Sequence, residues 1–136
     1  MAGARLHLVD KGQGPPLLLI HGLGGQLHNF NYGVIDQLAA SHRVIAVDRP
    51  GSGYSVRGPG ASAALNAQAD TMAALIESLQ LGRTMVVGHS LGGAVALALA
   101  QRHPQKVSGL ALVAPLTHPP GKVSAAFNGL KIAQPW

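Results

Sequence analysis

Five residues, Gly88-His89-Ser90-Leu91-Gly92, lie between an apolar run, Met85-Val86-Val87, and an alanine-rich run from Ala94 to Ala100. A strand that passes into a helix over so few residues must double back sharply. Glycines at both ends of the pentapeptide permit this, because a residue without Cβ tolerates unusual torsions and close backbone contact. The turn would push the Ser90 hydroxyl out at the carboxyl end of the strand, above the first turn of the helix. The free amides and positive dipole end found there favour negative charge beside the serine, which suits attack on a carbonyl. In a chain with 18 glycines the pentapeptide alone is weak, and its surroundings decide. They agree with such an elbow: strand before, helix after, and Gly93 to allow close helix-to-strand packing. The competing reading is a glycine-rich phosphate loop, but no Lys-Ser or Lys-Thr pair follows these glycines.

At 136 residues the chain is one domain at most, long enough for a core yet short for an enzyme built on a large sheet. Apolar residues make up 47% and aromatics 4%, so the core is built from Ala, Val, Leu and Ile, as in parallel strands covered by helices on both faces. The net charge of +5 comes from ten basic residues against five acidic ones. The basic residues, from Arg5 to Lys131 and including Arg49, are spaced singly. They read as solvated surface, and no nucleic-acid partner is expected. Without cysteine there is no disulfide, thiolate nucleophile or cysteine metal site. No His, Asp and Glu set has metal-ligand spacing, so neither metal nor cofactor is expected. A basic stretch leading into an apolar segment is lacking at the N-terminus, and no apolar run reaches 18 residues; the expectation is a cytoplasmic protein without stable membrane insertion.

Short apolar runs alternate with helical patterns, the signature of repeated βαβ units. The expected order begins with a strand at 5–9, ended by a turn at Asp10-Lys11-Gly12. A buried strand at 17–20 then opens into the loop Gly22-Leu23-Gly24-Gly25. A helix at 31–40, a strand at 44–47 and the loop from Asp48 to Ser55 follow. The longest helix is expected over 63–81, with Leu65, Met72, Leu75, Ile76 and Leu79 on one face and Gly82 as its stop. The elbow strand, a helix to Arg102 and a strand at 107–113 complete the series. The remainder reads as loop with one weak helical stretch.

Three segments in this order resemble the serine α/β-hydrolases: Leu18-Leu19-Ile20-His21-Gly22-Leu23-Gly24-Gly25, then Val47-Asp48-Arg49-Pro50-Gly51-Ser52-Gly53-Tyr54-Ser55, then Gly88-His89-Ser90-Leu91-Gly92-Gly93. The resemblance covers the chain to about Thr117 and is to the N-terminal half of that fold. It implies a mostly parallel, doubly wound sheet with helices on both faces and an active site at the carboxyl ends of the strands. Residues 1–117 would form this part of the core, and 118–136 the start of a lid insertion or a tail. Ser90 would be the nucleophile that forms an acyl-enzyme, and the backbone amides of Leu23 and Leu91 the oxyanion hole. His21, Gly22, Gly24, Gly88, His89 and Gly92 would support those loops. His21 would order the oxyanion loop through its ring, His89 would turn its side chain elsewhere, and Asp48 would tie loops together. A serine at the elbow argues against the branches that use a carboxylate nucleophile, the dehalogenases and epoxide hydrolases.

The departure from the pattern lies after Ser90. The fold orders its triad as Ser, then Asp or Glu, then His, but the last acid here is Glu77 and only His103 and His118 follow the serine. His103 precedes Pro104 at the far end of the elbow helix. His118 could reach the site's edge but has no carboxylate after it to orient its ring. The expectation is a chain incomplete on its C-terminal side, inactive alone and prone to self-association through the uncovered strand at 107–113. The complete protein would hydrolyse an ester or related acyl bond of a small-molecule substrate. The alternatives are a C–C bond hydrolase or perhydrolase of the same fold, or a non-catalytic remnant acting as a binding module.

Overall fold

The computed structural model of the chain describes residues 5–22, 33–52, 55 and 64–115. Among them are β1 (Leu8–Lys11), β2 (Pro16–Ile20), α1 (Val34–Ala39), β3 (Arg43–Val47), α2 (Leu65–Ser78), β4 (Thr84–His89), α3 (Leu91–Arg102) and β5 (Val107–Val113). The strands form one sheet in the spatial order β1-β3-β2-β4-β5. β1 runs antiparallel to β3, and the other pairings are parallel.

The short apolar runs become strands because successive side chains point to opposite faces, and both faces here are covered. Leu18, Ile20, Ile45, Val47 and Val86 face a layer made by Ala69, Met72, Leu75 and Ile76 of α2 with Val95 and Leu99 of α3. Leu17, Leu19, Val44 and Ala46 face the other way, against Ile35 of α1. β2 and β3 are therefore apolar on both sides, as their uninterrupted runs require. Burial thins toward β5, where Val113 is 54% exposed.

The first strand differs from expectation. The segment 10–11, expected to turn, continues β1, in register from Leu8 opposite Val47 to Lys11 opposite Val44. Its cause is long-range: the Asp10 carboxylate accepts two hydrogen bonds from the Arg43 guanidinium, at 3.0 and 2.7 Å, which holds residue 10 in the ladder. The bend falls instead at Gly12 and Gly14, both at positive φ. A Cβ on Gly14 would strike the carbonyl of Ser41.

Two helices are shorter than the pattern suggests. α1 starts at Val34 because Gly33, at φ 83°, lies outside helical torsions; the expected positions 31 and 32 lie outside the described residues, as does 63 at the start of the long helix. α2 stops at Ser78, ahead of Gly82. Gln80 takes φ 54°, the amide of Leu81 donates to the Ile76 carbonyl at 3.1 Å, and that of Gln80 to the Glu77 carbonyl at 3.0 Å. That pair of bonds is the Schellman closure, which places its left-handed residue two positions before the glycine. A glutamine there bears the Cβ penalty of left-handed torsions, part of which glycine's unfolded-state entropy would offset. Gln80→Gly is expected to raise stability by up to about 1 kcal/mol, seen as a higher urea midpoint at an unchanged m-value.

Candidate active site

The connection from β2 through α1 leads to β3 on one side of β2, while β4 and then β5 lie on the other. α1 packs on one face of the sheet and α2 and α3 on the opposite one. The chain thus leaves the carboxyl ends of β2 and β4 toward opposite faces. In open parallel sheets, the crevice at such a switch point is where ligands bind. Gly22 leaves β2 there, and Ser90 leaves β4.

Ser90 has φ 54° and ψ −118°, torsions that a residue bearing Cβ rarely adopts. Three close approaches enforce them. A Cβ on Gly88 would lie 2.5 Å from the Gly92 carbonyl oxygen and 2.6 Å from the Cα of Gly93. On Gly92 it would collide with the carbonyls of Ile20 and His21, at the end of β2. On Gly22 it would stand 3.1 Å from Ser90 Cβ and 3.3 Å from His89 Nδ1. α3, β4 and the end of β2 therefore meet at backbone-to-backbone distance. The packing expected of Gly93 is met against Gly88, and Pro115 closes on its other side, 2.7 Å from where a Cβ would be. The Ser90 amide donates to the Val113 carbonyl at 3.0 Å, and the Gly93 amide to the Ser90 carbonyl at 2.9 Å. Leu91 opens α3, and the amides of Leu91 and Gly92 come too early in the helix to reach a carbonyl within it.

Behind this contact lies a buried polar cluster. The ring of His21 is fully buried. Its Nδ1 donates to the Gly22 carbonyl at 2.8 Å, and its Nε2 accepts from the Arg49 amide at 2.9 Å. Both nitrogens are engaged as in a neutral imidazole. Burial pushes the ring's pKa down to about 4, and the Arg49 charge acts in the same direction, against the hydrogen bond to Gly22. Arg49, also buried, donates from Nε to the His21 carbonyl at 3.0 Å, from Nη2 to the Gly22 carbonyl at 3.0 Å, and from Nη1 to Gln68 Oε1 at 2.9 Å. Asp48 ties loops together, as expected: His7 Nδ1 donates to its carboxylate at 2.9 Å. Ser55 Oγ donates to the Asp48 carbonyl at 2.6 Å and accepts from the His7 amide at 2.8 Å.

Ser90, Leu91, His21, Gly22, Gly88, His89 and Gly92 are thus gathered at one end of the sheet. Leu23, Gly24, Gly25, Gly53, Tyr54, His118 and the segment 118–136 lie outside the described residues. His103 is held away from the serine, with its Nε2 bonded to Asp70 at 2.7 Å. Asp70 also receives Arg102, and these two partners pull its carboxyl down to about 2, Arg102 more strongly. Arg49 is a correction, since it belongs to the buried cluster and not to the solvated surface. Its partner offered a signal: Gln68 falls three residues after Leu65 and four before Met72, inside the apolar stripe of α2. A polar residue on such a stripe requires a buried partner.

The buried neutral ring makes stability depend on pH. In the unfolded chain His21 takes a proton near pH 6.5, in the folded protein only near 4. Between those values the unfolded state binds more protons, so its contribution is complete above about pH 6.5 and is lost as pH falls toward 4. The urea midpoint should fall between pH 7 and 5, and fall less steeply in His21→Asn, whose amide does not titrate.

Comparison with known proteins agrees with this geometry. Residues 15–136 match the family model of the alpha/beta hydrolase fold. Over 114 residues the chain is 42% identical to 2-hydroxymuconate semialdehyde hydrolase of Pseudomonas sp. strain CF600, which covers 82% of this chain and 40% of that protein. A thermophilic esterase from Thermogutta terrifontis superposes with a TM-score of 0.77 at 33% identity, over 85% of this chain and 42% of the esterase. An N-acyl homoserine lactonase solved with N-butanoyl homoserine gives 0.77 at 30%, over 85% and 43%. The chain spans about two-fifths of the length of these relatives. Among the described residues no helix is long and apolar enough to cross a membrane. With its sheet order, its serine at the switch point and its matched family model, the chain belongs to the α/β-hydrolase fold family.

Proposed function

We propose that this protein is a serine hydrolase that cleaves an ester or related acyl bond of a small molecule, with Ser90 as nucleophile. The observation that carries the reading is the torsion of Ser90, φ 54° and ψ −118°, between two glycines at the head of α3. A serine needed only for packing has no reason to occupy a strained turn at the carboxyl end of a central strand. The Ser90 hydroxyl would attack the carbonyl carbon and lose its proton to a base, which returns it to the departing alcohol as the acyl–oxygen bond breaks; water then hydrolyses the acyl-enzyme, releasing the acid and restoring the Ser90 hydroxyl. The developing oxyanion would be received by the amides of Leu91, in the first turn of α3, and of Leu23, next to Gly22. His21 and His103 are not the base, because the ring of one is committed at both nitrogens and the other caps the far end of α3, the 12-residue helix whose head carries Ser90. The esterase and lactonase relatives support the acyl-bond reading.

The similarity to 2-hydroxymuconate semialdehyde hydrolase favours a second reading, hydrolysis of a C–C bond next to a carbonyl at the same serine. Parallel assays of the full-length natural protein on p-nitrophenyl butyrate and 2-hydroxymuconate semialdehyde separate the two by kcat/KM. In either case Ser90→Ala should lower kcat by at least about 10³-fold while the protein stays folded by circular dichroism. A fluorophosphonate should label the wild type and leave the variant unlabelled. Near-normal turnover by Ser90→Ala would remove the serine from the mechanism.

A further inference from the structure

We propose that Arg49 is a positioning residue for the oxyanion site, acting through the carbonyl of Gly22; this rests on the acyl-transfer reading above. Arg49 touches no reacting atom in that reading. What it touches is the end of β2. Its guanidinium bonds two successive carbonyls, those of His21 and Gly22, each at 3.0 Å, and a third donor reaches Gln68 Oε1 at 2.9 Å. A planar fork with donors in fixed directions cannot swivel while it holds two adjacent peptides, so it sets the orientation of both. The Gly22 carbonyl takes a second bond, from His21 Nδ1 at 2.8 Å. Arg49 secures that ring as well, because its own amide donates to Nε2 at 2.9 Å. One residue therefore fixes the carbonyl directly and fixes the other donor to it.

The position of Gly22 makes this matter. A Cβ there would lie 3.1 Å from Ser90 Cβ, so the peptide leaving Gly22 starts against the nucleophile. A planar trans peptide aims its N–H opposite to its C=O. The clamp on the Gly22 carbonyl hence fixes the plane of the peptide that leaves Gly22, the peptide whose N–H the acyl-transfer reading assigns to the oxyanion. Burying a guanidinium is costly unless every donor is matched. A neutral residue would cap two carbonyls at less desolvation, but without the rigid two-point grip. An error of about 1 Å at a catalytic group costs roughly 10²-fold in rate.

The test uses the full-length natural protein with Arg49→Lys, which keeps the charge and loses the fork, and Gln68→Ala, which removes the guanidinium's third partner. The readouts are kcat and KM on p-nitrophenyl butyrate, the Ki of a trifluoromethyl ketone that adds to the serine as a tetrahedral oxyanion, and the thermal midpoint. Arg49→Lys should lower kcat about 10²-fold and raise the Ki by a similar factor, with KM nearly unchanged. Gln68→Ala should shift kcat and Ki the same way to a smaller degree. A purely structural role predicts a lower midpoint, with kcat and Ki per folded site unchanged in both variants, and that result would overturn the proposal. If Arg49→Lys does not fold, Gln68→Ala decides alone: an unchanged Ki refutes the clamp and a raised one supports it. Failure of the underlying reading looks different, since turnover and ketone binding would then survive Ser90→Ala.

Discussion

Steric exclusion where β4 turns into α3 is the constraint on which the rest of the molecule depends. Gly88, Gly92 and Gly22 occupy points at which a single added carbon would lie at or inside contact distance of neighbouring atoms. Ser90 carries a side chain in the midst of them and adopts torsions that cost of order 1–3 kcal/mol. Such a residue keeps its conformation only if its surroundings over-determine it. Here the Ser90 amide is tied to β5 and its carbonyl to Gly93, while the first turns of α3 are buried from Leu91 to Ala96. Burial of the helix and strain at the serine are therefore coupled. The apolar contacts that stabilise α3 against the sheet also hold the hydroxyl outward.

The same closeness explains the polar cluster beneath the turn. Where β2 ends against α3, the carbonyls of His21 and Gly22 leave the sheet ladder and lose their strand partners. Water is excluded, so the chain itself has to supply donors. The His21 ring and the Arg49 guanidinium do so, and Gln68 takes a remaining donor of Arg49. No buried side-chain nitrogen or oxygen among the described residues lacks a partner. A buried network satisfied in this way is stiff, whereas one with a missing member would be a weak point.

How far the sequence could be read follows the range of the interactions involved. β2 and β3 are local signals, continuous apolar runs that need both faces covered, β5 is a largely apolar run set off by Pro104, and these three are legible to within about a residue. The elbow was legible because its geometry is dictated by neighbours in sequence, the two glycines and the helix that follows. β1 was misread because its extent is set by Arg43, over thirty residues away, which no local pattern announces. The early stop of α2 is hidden from the sequence for a related reason: a glutamine takes the left-handed position that composition assigns to glycine. Arg49 was the largest omission at the site. A lone arginine among scattered basic residues looks like surface, and only the polar interruption at Gln68 hinted at a buried partner.

Among the described residues the site consists mostly of backbone. Apart from the Ser90 hydroxyl, the proposed machinery is two main-chain amides, the glycines that let them approach, and side chains that bond to carbonyls. Groups of that kind can stabilise charge on any carbonyl oxygen brought into the crevice, but they read nothing of the substrate beyond the reacting bond. This fits the range of relatives, in which an esterase, a lactonase and a semialdehyde hydrolase each align with more than four-fifths of the chain. It also divides the effects of substitution. On the acyl-transfer reading, changes at Gly22, Arg49 or Gly92 would act on the rate for every substrate alike, because they would move the amides, whereas discrimination between substrates would have to come from side chains that contact the rest of the molecule.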